Sequence, residues 1–347
     1  MYIKSAKAIS PQHSIDLKLF ENEILAHEGT KYYASEPSYA DMIPRALLRR
    51  MNKAVRMGVG SGLMTLKDQP EMDGIILGTA NGGIDDSFKF LHQILEYEEG
   101  TLTPTNFVQS TPNAVAGSLA LMTKNTGYNN THVNYGLAFE SALLDAMMLF
   151  EEGKARHLLV GAFEEISDHN YNMDAQAGYF KSESIKSEDL LGSGTGGTVK
   201  GEGSSMFIMS QEAADAKAQV LDVVQLQYVD QKELIESIDQ LLSKHQLSTK
   251  DVSLMIGANG DIRTDHWYHD LISERFSNQS VYTFKHLVGE YHTTAGFALW
   301  LASELLNRDT VPAVLLYQGA HVGTEHLLIY NHFKGKQHSL ILVKRPS

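Results

Sequence analysis

The 347-residue sequence contains no cysteine, only two tryptophans and only eight prolines. Without cysteine there can be no disulfide, no thiolate-ligated zinc or iron–sulfur site and no thiolate nucleophile. Basic residues are also few, 29 against 42 acidic, for a formal net charge of −13. Tight nucleic-acid binding needs clustered Lys and Arg that displace counterions, and no basic stripe with interleaved aromatics is present. No apolar run approaches the roughly 18 residues of a membrane-spanning helix. The opening MYIKSAKAISPQHS lacks the apolar core of a signal peptide. The expectation is a cytoplasmic protein with no membrane span and no nucleic-acid partner. The run GSGTGG at 192–197 lacks the Gly-Lys-Ser/Thr ending of a phosphate loop, so a nucleotide role is disfavoured.

What is present is a core-forming α/β pattern. Apolar residues make up 43% of the chain, enough for a sizeable interior. PRALLRRMNKAVRMGVGSGLMTL (44–66) has helical apolar spacing, and GIILGTANGG (74–83) reads as a buried strand running into a glycine turn. Residues 88–98 and 113–122 read as helices. A strand over 131–135, a turn at Gly136 and a helix over 137–152 follow, and Gly153 suits the left-handed residue that ends such a helix. RHLLVGAF (156–163) is a strand, 164–200 reads as irregular, and GEGSSMFIMS (201–210) is a strand. Further helices are expected at 233–245, 267–276 and 293–306, with strands at 252–260 and 312–319. The strand–turns IILGTANGG (from Ile75) and LMIGANGD (from Leu254) resemble each other. Alternating strands and helices with such a repeat imply parallel pairing in two similar halves, 1–210 and 211–347.

Several segments resemble, in order and spacing, the β-ketoacyl synthases of the thiolase-like superfamily. They are GTANGG, TPTNFVQSTPNAVAG (103–117), GKARHLLVGAFEEIS (153–167), GEGSSMFIMS and TFKHLVGEYHTTAGFAL (283–299). Together they span about residues 40–331. The resemblance implies an α/β fold, the thiolase-like five-layer αβαβα arrangement with two similar halves. It also implies a role in fatty-acid or polyketide biosynthesis, a dimer, acyl carrier protein or acyl-CoA as the thioester partner, and no cofactor or metal.

In that family a cysteine at the start of the central helix carries the acyl chain, helped by the helix N-terminus. Two histidines assist decarboxylation and stabilise the enolate. Counting back from Gly153, the cysteine position falls on Gly136, the histidines on Asn259 and Glu290, and the supporting lysine is kept as Lys285. The segment His321–Thr324 is close to the family's Phe-Gly-Gly-Thr. Phe107, Tyr135 and His321 are the candidate substrate-binding residues. Glycine cannot form a thioester, asparagine cannot titrate, and a carboxylate repels a developing enolate. The expectation is therefore a chain inactive in condensation by itself that pairs with an active ketosynthase as a chain length factor does, similar to divergent partners of aryl-polyene and flexirubin-type pathways. Two alternatives stand beside it: an acyl-thioester-processing enzyme with repurposed groups, and a homodimeric acyl-carrier or acyl-CoA binding protein without turnover.

Other constellations have plainer readings. Ser141, mid-helix, is expected to bond back to the preceding turn. Asp265, His266, His269 and Asp270 share a helix start, where a solvated, dipole-matched cluster is commoner than a metal site. His132 and Tyr135 flank Gly136 and are either pocket-lining residues or packed strand residues with satisfied polar tips. His286 and His292 are site residues or helix-cap partners. The pairs Glu151–Glu152 and Glu164–Glu165 read as solvated ends of elements.

Overall fold

The computed structural model describes residues 1–67, 71–102 and 104–346; Thr103, the first residue of the 103–117 stretch, lies outside them. Eleven strands form one continuous sheet: β1 (Tyr2–Ile9), β2 (Gly74–Gly78), β3 (Tyr128–His132), β4 (His157–Glu164), β5 (Gly203–Ser210), β6 (Ala218–Gln227), β7 (Val252–Ile256), β8 (Val281–Thr283), β9 (Leu316–Gln318), β10 (His326–Phe333) and β11 (Gln337–Lys344). Their spatial order is β9-β8-β7-β10-β11-β6-β1-β5-β4-β2-β3. Within the sheet, the two halves are joined where Tyr2 and Ile3 pair with Gln219 and Ala218.

Each half repeats one five-strand pattern. In the first, β2 lies parallel between β3 and β4, and β5 runs antiparallel to both β4 and β1. In the second, β7 lies parallel between β8 and β10, and β11 runs antiparallel to both β10 and β6. The matched strand–turns at Ile75 and Leu254 thus occupy equivalent places, the central parallel strand of each half.

Helices complete five layers. Strand alternation sends Ile75 and Leu77 to one face and Ile76 to the other. The first face packs under α1 (Lys53–Leu66) and α4 (Ala114–Thr123). The second packs on α5 (Ala138–Glu151) and α9 (Thr294–Leu305), the central layer. Leu254, Ile256, Leu328 and Leu340 turn outward under α7 (Gln231–Lys244) and α8 (His266–Arg275), while Met255, Ile329 and Ile341 face the central helices. Every residue of α9 is buried, because it has sheet on both sides. Two further helices, α2 (Ile84–Glu96) and α3 (Pro104–Gln109), lie over the first half, and α6 (Asp168–Gln176) precedes β5.

Local readings depart from the structure at identifiable places. The 44–66 helix is broken, with one turn at Arg45–Leu48 before α1, because Asn52 caps the second piece by accepting from Val55 N–H at 2.7 Å. Within 164–200, α6 is helical yet buries none of its residues, so it carries no apolar periodicity to read. The 312–319 segment keeps only the three-residue β9 after a 3₁₀ turn. Gly153 does end α5, at φ +66°.

Candidate active-site cleft

A cleft of about 580 Å³, counted to its solvent-open mouth, lies where the C-terminal ends of the central parallel strands meet the start of α9. The turn after β7 carries Asn259, and its backbone is fixed by Asp265, which accepts from the N–H groups of Asn259 (3.1 Å) and Gly260 (2.7 Å). Asp265, one of the four acidic and histidine residues at 265–270, therefore clamps this loop. After β8, one helical turn (Lys285–Val288) ends at Gly289, whose φ of +74° and 2.7 Å approach of its missing Cβ to Gly201 Cα allow only glycine. Glu290 follows, held by backbone bonds to Val199 and Gly201.

Three residues picked out in the sequence converge here. Glu290 Oε2 accepts from Lys285 Nζ at 2.7 Å and from Asn259 Nδ2 at 2.7 Å, and Thr294 Oγ1 donates to Oε1 at 3.3 Å. Lys285 is fully buried, and its ammonium also reaches the His332 carbonyl at 3.3 Å. The pair places a compensated carboxylate at the back of the cleft.

Gly136 lies before α5, buried under the hairpin of β10 and β11. Its N–H donates to Gln337 Oε1 at 2.9 Å, and a Cβ there would stand 2.3 Å from Phe333 Cβ. The adjacent Tyr135 has the left-handed backbone of this turn (φ +46°) and projects its exposed ring 6.0 Å from the ring of His292. Ser141 donates to the Leu137 carbonyl at 2.9 Å, the back-bond its position suggests. His132 pairs with Asp145 at 2.8 Å.

Two substrate-binding candidates lie elsewhere. His321 bonds Tyr282 Oη at 2.8 Å and the Arg308 carbonyl at 2.8 Å, and it does not line the cleft. The displacement arises because 321–324 precede β10, whereas the segment that reaches the cleft, Phe333–Lys334, lies at its C-terminal end. Phe107 is exposed on α3 and packs against Phe90 with ring centroids 5.3 Å apart.

Further residues complete the site, some of them read differently in the sequence. Glu164, read as solvated, is buried: it accepts from Thr79 Oγ1 (2.9 Å), the Ala80 N–H and Asn81 Nδ2 (3.3 Å), all on the turn after β2. Burial pushes its carboxyl up. Glu165 is also buried, accepts from the Ala54 N–H at 3.1 Å, and is pushed up to about 8 by burial and then by Asp85. Lys200, Phe333, Lys334 and His292 line the cleft with Asn259 and Glu290. Of the two flagged histidines, His292 faces the cleft, and burial holds it well below the ordinary range. His286 is buried away from it and lowered to about 4.

On α5, four residues after Gly136, Glu140 is wholly buried with neither carboxyl oxygen hydrogen-bonded to a described residue, and burial raises it from 4.5 to about 7. A raised carboxyl stabilises the fold below its unfolded value of 4.5, and this contribution is lost as pH rises towards 7. Urea unfolding of the native chain and Glu140→Gln at pH 5.5 and 8.5 tests this. The native chain should lose about 2 kcal/mol more across that interval than the variant.

The layers and this cleft define a thiolase-like condensing-enzyme fold, matched closely by solved structures. A β-ketoacyl synthase from Burkholderia phymatum STM815 is similar at a TM-score of 0.80 and 15% identity, covering 99% of this chain and 98% of that one. The ishigamide ketosynthase/chain length factor is similar at 0.78 and 16%, covering 100% and 99%. A ketosynthase solved in complex with its chain length factor from Xenorhabdus doucetiae gives 0.77 and 16%, covering 99% and 97%. No curated protein sequence matches the chain. The family profile for the β-ketoacyl synthase N-terminal domain matches residues 25–250, well over half the chain, which therefore belongs to the β-ketoacyl synthase family.

Proposed function

We propose that this chain is the non-condensing member of a ketosynthase pair, shaping the acyl tunnel of a cysteine-bearing partner as a chain length factor does. One observation carries the reading: where the family resemblance implies an enolate-binding histidine, Glu290 stands as a carboxylate held by Lys285 and Asn259. Glu290 presents acceptor oxygens and occupies Lys285 and Asn259 as donors, whereas condensation needs a free donor aimed at the developing enolate. The missing thiol acts in the same direction.

Pairing is supported by the surface beside β3. Among the described residues this strand ends the sheet with one edge unpaired, and a bare edge flanked by apolar groups is a liability unless another chain covers it. Leu121 on α4, Met148 on α5, Tyr128 and Val133 are all exposed there, Leu121 at 83%. Acyl carrier protein is the proposed thioester partner, and residues 1–210 and 211–347 are the proposed halves. The dimer is proposed to bury upward of about 2,000 Å² in total, as obligate interfaces do.

Co-expression with an intact cysteine-bearing synthase from the same genomic neighbourhood tests the reading. The two chains are expected to co-purify as a stable complex, and Leu121→Asp with Val133→Asp should weaken the complex at least tenfold. Tyr135 does not line the cleft but lies 6.0 Å, ring to ring, from His292, which does; replacing Tyr135 with tryptophan should change product chain length. Failure to co-purify, or a monomer in sedimentation at micromolar concentration, would count against pairing.

A further inference from the structure

Most cations around the cleft are neutralised in place. Lys285 pairs with Glu290 at 2.7 Å, Arg263 with Asp261 at 2.6 Å and Lys334 with Asp174 at 3.1 Å. Lys200 is the exception. Its backbone is locked by the bond from Lys200 N–H to the Thr30 carbonyl (2.9 Å) and by its short strand's parallel pairing with Lys31–Tyr32. Its side chain lines the cleft, only 4% exposed, with Nζ 5.9 Å from the Phe180 ring centroid. Among the described residues, Nζ makes no ion pair and no hydrogen bond. The residue is largely buried while Nζ opens onto the cleft, and an ammonium in such a poorly hydrated place without a bonded counter-charge is disfavoured relative to the neutral amine or to one engaged by a ligand.

We propose that Lys200 is an amine nucleophile that forms a reversible imine with the ketone carbonyl of an acyl chain lying in this cleft. The walls suit such a chain: Phe180, Phe333 and Tyr179 supply apolar surface, and Asn259 supplies a polar contact. Burial lowers the Lys200 amine, partly against the pull of Glu164, and so favours its neutral, nucleophilic form. In the reaction the Nζ lone pair forms a C–N bond, and the C=O π pair moves to oxygen, which is protonated. A second proton transfer lets that oxygen leave as water as the C=N bond forms. Both protons come from the amine in net terms, so amine and ketone yield imine and water with no oxidant or reductant. His292, neutral through burial, and Glu164, whose carboxyl is raised, are the nearby groups able to carry these protons.

The test uses the isolated full-length chain with acetoacetyl-N-acetylcysteamine thioester and sodium cyanoborohydride, read by intact mass and peptide mapping. Its butyryl analogue, which has no ketone, is the control. The expected result is a reductant-dependent adduct with the acetoacetyl probe alone, mapped to residue 200 at least tenfold over any other lysine. Lys200→Met and Lys200→Arg should abolish it, the arginine variant keeping the charge should the methionine variant fail to fold. The proposal is overturned by no adduct on the native chain, by an adduct retained in Lys200→Arg, by labelling spread over exposed lysines such as Lys232, or by an adduct formed without reductant, which would be an amide. None of these outcomes bears on pairing with a synthase, which is read by co-purification.

Discussion

Replacing Lys285 with methionine is expected to cost the fold about 3–5 kcal/mol, because it strands a buried carboxylate without its counter-charge. Lys285 is fully buried, and its 2.7 Å bond to Glu290 is the only ion pair that the carboxylate makes among the described residues. After the change, Glu290 keeps only the Asn259 amide and the Thr294 hydroxyl, neither of which carries charge. Adding Glu290→Leu in the same chain removes the stranded charge and should restore most of the loss, since an apolar pair of similar volume often replaces a buried ion pair without penalty. Urea unfolding of the native chain, both single variants and the double variant measures this. If Lys285→Met alone unfolds at the native midpoint, the pair does not stabilise the fold.

Restoring a thiol should not restore condensation. Gly136→Cys places a Cβ 2.3 Å from Phe333 Cβ and 2.8 Å from its Cγ, so the hairpin must shift. Overpacking of that kind costs about 1–3 kcal/mol. Tyr135→Cys avoids the clash, because Tyr135 is exposed and occupies the left-handed residue of the turn. Yet in both variants the Glu290–Lys285–Asn259 set still faces the reacting centre. The loss of one oxyanion-stabilising donor alone commonly lowers kcat about 10²–10³-fold. Both thiol variants should remain at least a thousandfold below an intact synthase in malonyl condensation, even where alkylation shows the thiol to be reactive. Only variants that also place histidines at 259 and 290 have a route to activity.

Much of the fold was legible because it repeats. The strand–turns at Ile75 and Leu254 share residues as well as pattern, and they became the central parallel strands of matched halves. Helix α5 was legible from its apolar face and its terminal Gly153. Asn259, Lys285 and Glu290 are picked out by local motifs far apart in sequence, and only the tertiary structure shows the bonds that join them. What escaped depends on long-range geometry. Glu164 and Glu165 look like a solvated end, and only the turn at 79–81 and the start of α1, distant in sequence, provide the donors that let them be buried. Lys200 precedes Gly-Glu-Gly without periodic signal, and its burial follows from a short strand pairing with residues 31–32. His321 was placed by a four-residue similarity, whereas the cleft-lining turn lies one strand later, at Phe333 and Lys334. Helix α6 buries nothing and so has no apolar stripe to read.

On the proposed reading, this chain supports condensation without carrying the acyl group. Intact-mass spectrometry of the isolated chain after incubation with acyl-carrier thioester, with a malonyl condensation assay run in parallel, tests it most directly. The expected result is an unchanged mass and no product from the chain alone, with product appearing only when a cysteine-bearing synthase is added. A stable acyl adduct on this chain, or product formed without a partner, would contradict it.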